Sequence, residues 1–197
     1  TLEPERWITE PGKPVPVAVR VRDAEHRTPV AGLPLLVGWE REEWREGKRQ
    51  SRDQHLEPLT TTAAGAQFTV TPDRPGDYRI VVRATDQRGN RITETTGLWC
   101  TSQMMPAEGH LREGLQITLD QRVYQPGERA QALIFSAEPV ETALLTIEGE
   151  RLYDWQVLAL RKGSTLVELP VAPEYLPNAY VVVSTVYKQD LHQAQKR

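Results

Sequence analysis

Asp73-Arg74-Pro75-Gly76-Asp77-Tyr78-Arg79-Ile80-Val81-Val82-Arg83-Ala84 reads as a tight turn that launches a strand. Proline presets φ and glycine admits positive φ, so Pro75-Gly76 can reverse the chain within a few residues. Beyond the turn, Tyr78, Ile80, Val82 and Ala84 alternate with Arg79 and Arg83. A period of two sends successive side chains to opposite faces, so the segment offers one face to a core and one to solvent.

The same pattern recurs outward from this stretch. Val15, Val17, Val19 and Val21 share one parity, with Ala18, Arg20 and Arg22 on the other. Phe68 and Val70 alternate with Gln67, Thr69 and Thr71, and Leu115, Ile117 and Leu119 with Gln116 and Thr118. Between Tyr180 and Val186 both parities are apolar, which predicts a strand in the interior of its sheet. Turn residues separate these runs at Pro11-Gly12, Arg88-Gly89-Asn90, Pro126-Gly127, Gly149 and Lys162-Gly163-Ser164. The spacing is that of an all-β sandwich, and no amphipathic helical stretch competes with it. Glu40 to Gln50 reads as a strand running into a charged hairpin.

A weak internal repeat divides the chain. Trp7-Ile8-Thr9-Glu10-Pro11-Gly12-Lys13 and Val123-Tyr124-Gln125-Pro126-Gly127-Glu128 each pair a short edge strand with a Pro-Gly turn and a longer strand. The two turns stand 115 residues apart, about one sandwich module. The fold expected is therefore all-β, two tandem antiparallel β-sandwiches of fibronectin III/Ig-like type. Their predicted bounds are 1–102 and 114–197, with 103–113 as linker. About seven strands are expected in the first and six in the second. The polar tail Gln189 to Arg197 is read as non-strand, so the second sandwich is expected to be truncated at its C-terminal end or to close further on.

Composition narrows the function. The 24 basic and 27 acidic residues leave a net charge of −3, which gives no global attraction to nucleic acid or anionic membrane. No apolar run reaches the ~20 residues of a membrane-spanning helix. The chain opens on Thr1 without a signal sequence, and is expected to come from the middle of something longer. The single cysteine, Cys100, excludes an intrachain disulfide.

No constellation points to catalysis, a cofactor or a metal. His26, His55, His110 and His192 share no strand or helical turn. Gly109 and Gly114 have the spacing of a phosphate loop, but Leu115 and Gln116 stand where its Lys and Ser/Thr belong. Asp86-Gln87-Arg88-Gly89-Asn90 has too few oxygens for calcium and reads as a hairpin turn. Glu40-Arg41-Glu42-Glu43-Trp44-Arg45-Glu46 interleaves both signs and is expected to be a solvated, salt-bridged surface. Trp39 and Trp44 could form a platform for glycan or protein. Gln103 lies three residues beyond Cys100, the spacing of an internal thioester, but no acidic residue falls between them. Cys100 is therefore read as a structural thiol ending the strand Leu98-Trp99-Cys100.

Ordered motifs in the second half resemble one family. They are Asp120-Gln121-Arg122-Val123-Tyr124-Gln125-Pro126-Gly127-Glu128, then Ala143-Leu144-Leu145-Thr146-Ile147-Glu148, then Leu169-Pro170-Val171 and Leu176-Pro177-Asn178-Ala179-Tyr180-Val181. In this order they resemble a macroglobulin-like domain of bacterial alpha-2-macroglobulins, the one just before the protease bait region. Thr71 to Tyr78 followed by Ala84 to Asn90 is similar to the preceding macroglobulin-like domain. The resemblance implies a structural scaffold fragment of a broad-spectrum endopeptidase inhibitor, without enzymatic activity of its own. It implies neighbouring macroglobulin-like domains and, through the parent's bait region, target proteases as partners. It also implies an extracytoplasmic, periplasmic location, with membrane contact only through a lipid anchor elsewhere in the parent. The competing reading is a ligand- or glycan-binding pair of Ig-like modules from an adhesin or carbohydrate-active enzyme.

Overall fold

The computed structural model describes residues 1–45, 48–86, 88–101 and 114–197; the linker predicted at 103–113 lies outside them. The chain divides into two compact units, Thr1–Thr101 and Ser102–Arg197.

The first unit contains β1 (Leu2–Pro4), β2 (Ile8–Thr9), β3 (Val15–Val19), β4 (Pro34–Arg45), β5 (Lys48–Thr60), β6 (Ala66–Val70), β7 (Gly76–Thr85) and β8 (Arg91–Cys100). They form a three-stranded sheet, β1-β3-β6, and a five-stranded sheet, β2-β8-β7-β4-β5. All pairings are antiparallel except that of β2 with β8. The alternation read from the sequence sets which face is buried. Val15, Val17, Val19, Phe68 and Val70 project from one sheet onto Leu35, Val37, Tyr78, Ile80, Val82, Leu98 and Cys100 of the other. Burying a side chain of this size is worth roughly 1.5–3 kcal/mol, so the shared layer between the sheets drives closure.

The second unit contains β9 (Leu115–Leu119), β10 (Arg129–Ser136), β11 (Val140–Glu148), β12 (Leu152–Leu160), β13 (Gly163–Pro170), β14 (Tyr180–Tyr187) and β15 (Asp190–Lys196), with one 3₁₀ turn at Pro173–Tyr175. Its sheets run β13-β10-β9 and β12-β11-β14-β15, all antiparallel. Ala132, Ile134, Ala143, Leu145, Ile147 and Val183 form the centre of its core. As the doubly apolar pattern required, β14 is an interior strand, and Val182 is buried on the face opposite Val181 and Val183.

The two units repeat one topology. The order β9-β10-β13 reproduces β1-β3-β6, and β15-β14-β11-β12 reproduces β8-β7-β4-β5. The paired Pro-Gly turns are equivalent in their bonds as well. The Gly12 amide donates to Pro72 O and the Gly127 amide to Val171 O, each tying the turn to the end of the third strand of its sheet. Lys13 N to Glu10 O and Glu128 N to Gln125 O close the two turns at the same 3.1 Å.

Three sequence expectations require correction. The units have eight and seven strands among the described residues, one more in each than predicted. The extra strand of the second unit is the polar tail: Asp190–Lys196 pairs with Val181–Tyr187 through a tight hairpin at Lys188-Gln189. An edge strand exposed on both faces needs no alternation, which is why the tail carries no strand pattern. Finally, Ile8–Thr9 is a short edge strand, but its counterpart Val123-Tyr124 is not.

Candidate functional site

Within each unit, the described residues weighed for chemistry do not gather into one site. Among the described residues, no group of three or more His, Cys, Asp or Glu could hold a metal. His26 is exposed and contacts Asp23, which caps the local turn by accepting from the Glu25 and His26 amides. His55 stacks beside Trp39, and His192 tilts against Tyr187, in different units. His110, Gly109 and Gln87 lie outside the described residues. Asp86 accepts from the Arg88 and Asn90 amides and from the Asn90 side chain, as a hairpin turn requires. Those bonds, the one from the Asn90 side chain foremost, hold its carboxyl below the usual carboxylate range.

Cys100 is a free, fully buried thiol at the end of β8, packed in the core of the first unit. Burial, aided by the charges of Asp73 and Glu10, pushes its pKa up to about 12. A thiol that keeps its proton is a poor nucleophile. The thioester partner, Gln103, lies outside the described residues.

Within the charged run, Glu40 and Glu42 are salt-bridged as expected but are not solvated. Glu40 and Glu42 are 4% and 8% exposed. They stand on the sheet face turned away from the core, covered by arginines from β7. Glu40 accepts from both Arg79 and Arg83, and Glu42 pairs with Arg79 at 3.1 Å. The hydrogen bond that it donates to Glu40, opposed by burial, leaves the Arg79 guanidinium with a raised pKa. These arginines are about 40 residues away in sequence, beyond the reach of local pattern. The network cross-braces β4 to β7. Trp39, on the other face of β4, is partly buried against the first core and meets Tyr78 edge to face at 5.2 Å. It is not a free platform, and the Trp44 side chain lies outside the described residues.

In the second unit the sequence motif Asp120 to Glu128 has a structural role. Asp120 is 3% exposed and accepts from the Gln131 amide and the Tyr124 hydroxyl at 2.7 and 2.8 Å. The same hydroxyl accepts from the Gln121 amide at 2.9 Å, and Glu128 accepts from the Gln125 amide at 2.7 Å. The motif thus fastens the chain between β9 and β10 by satisfying backbone donors that no strand partner takes up. Burial pushes the Tyr124 phenol well above its usual pKa.

The feature that sequence reasoning missed is a surface. Leu144 on β11, Trp155 and Val157 on β12, Val186 on β14 and Leu191 on β15 are 42–69% exposed. Cross-strand partners share a face, and Leu144 pairs Val157, Thr146 pairs Trp155 and Val186 pairs Leu191. Leu145 and Ile147 occupy the core side, so these apolar side chains lie on the outer face of the four-stranded sheet. The equivalent face in the first unit carries Glu40, Glu42, Arg79 and Arg83, together with Leu36.

One family comparison falls on the second unit. Residues 115–195 match the alpha-2-macroglobulin bait region domain. The span coincides with the seven-stranded sandwich, the module that the sequence motifs set just before the bait region. An alpha-2-macroglobulin homolog of Nostoc sp. is 29% identical over 125 residues, covering 62% of this chain and 6% of its own length. An alpha-2-macroglobulin of Ralstonia nicotianae is 28% identical over 161 residues, 75% of this chain and 10% of its own length. The chain therefore spans a small part of the curated relatives it matches. The native conformation of E. coli alpha-2-macroglobulin, solved by cryo-electron microscopy, shows 18% identity over 96% of this chain and 13% of that one, with a TM-score of 0.36.

Proposed function

We propose that this chain is a piece of a bacterial alpha-2-macroglobulin-like protein and serves there as structural scaffold of a broad-spectrum protease trap, without catalytic activity of its own. The observation that carries this reading is the bait-region-domain match over 115–195, which falls on a closed, well-cored sandwich. A trap needs a cleavable segment coupled to an assembly with two global arrangements, so that one cut biases the whole. The sandwiches supply the other half of such a device. They are rigid bodies that hold the bait at a defined distance from the rest of the cage.

Neighbouring macroglobulin-like modules and, through the bait, target endopeptidases are the partners in this reading, and the parent resides in the periplasm. The glycan-binding alternative draws no support from Trp39, whose indole is engaged with the core.

The test uses the full-length parent with several unrelated endopeptidases, assayed on a large protein substrate and on a small peptide. Hydrolysis of the large substrate is expected to fall while the peptide is still cut, because a caged protease keeps an open active site. Equal inhibition of both substrates, or of neither, would reject the trap.

A further inference from the structure

We draw no further inference here: the strongest candidate, the exposed apolar face of β11, β12, β14 and β15 around Trp155 and Val157, carries nothing because nothing in the structure shows what covers it.

Discussion

At the scale of single residues, Gly38 shows how closely the strands are fitted. It has φ of +153°, and a Cβ built on it would lie 1.9 Å from His55 O on the neighbouring strand. Backbone cannot yield as a flexible side chain can, so Gly38→Ala should cost about 2–3 kcal/mol by forcing β4 from β5. Urea unfolding of the two proteins measures it. Nothing in the local sequence marks this glycine, because the obstacle comes from the pairing partner. Cys100 and Tyr78 give a second prediction. Burial pushes both to about 12, from ordinary values of 9.0 and 10.0. Between those limits the folded chain keeps protons that the unfolded chain has lost. Unfolding then releases protons, so stability is intact below pH 9 and falls as pH rises toward 12. Denaturant midpoints taken from pH 8 to 11 should decline, and a thiol reagent should find no reactive group in the native chain and one after unfolding.

At the scale of elements, the strands with a buried face were legible because burial imposes a period of two, as in Val15–Val19 and Tyr78–Ala84. What was not legible depends on partners distant in sequence. Glu40 looked like surface charge because its neighbours are charged, yet its environment is set by Arg79 and Arg83 on β7. Removing one side of such a network strands the other. Glu40→Ala should cost about 1–3 kcal/mol, toward the lower end because both arginines are partly exposed. Arg83→Ala should cost less, since Arg79 still covers the carboxylate; thermal melts of the two variants give the comparison. The Asp120–Tyr124 corner is the reverse case, a motif visible in sequence whose meaning came from geometry. Asp120→Ala withdraws the acceptor from the Gln131 amide and the Tyr124 hydroxyl. A loss of about 2–3 kcal/mol is expected in the second unit, and Tyr124→Phe should cost less because Asp120 still accepts from Gln131. Amide exchange across β9 and β10 would localise both effects.

At the scale of the molecule, the repeat between Pro11-Gly12 and Pro126-Gly127 announced two modules, and the shared strand order explains it. Of the residues weighed for chemistry, Cys100 and Trp39 pack in or against the first core, His26 sits in a turn, and His55 and His192 lie on strands. The apolar face around Trp155 and Val157 escaped notice because its residues come from four strands. The central claim is that these sandwiches are inert scaffold, which do not act on proteases without the rest of the parent. The most direct test mixes the 197-residue chain with equimolar amounts of several unrelated endopeptidases and follows their activity on a large protein substrate and a small peptide. The account predicts unchanged hydrolysis of both substrates at every ratio tried. Stoichiometric inhibition of either by this chain alone would contradict it and make the chain a direct inhibitor.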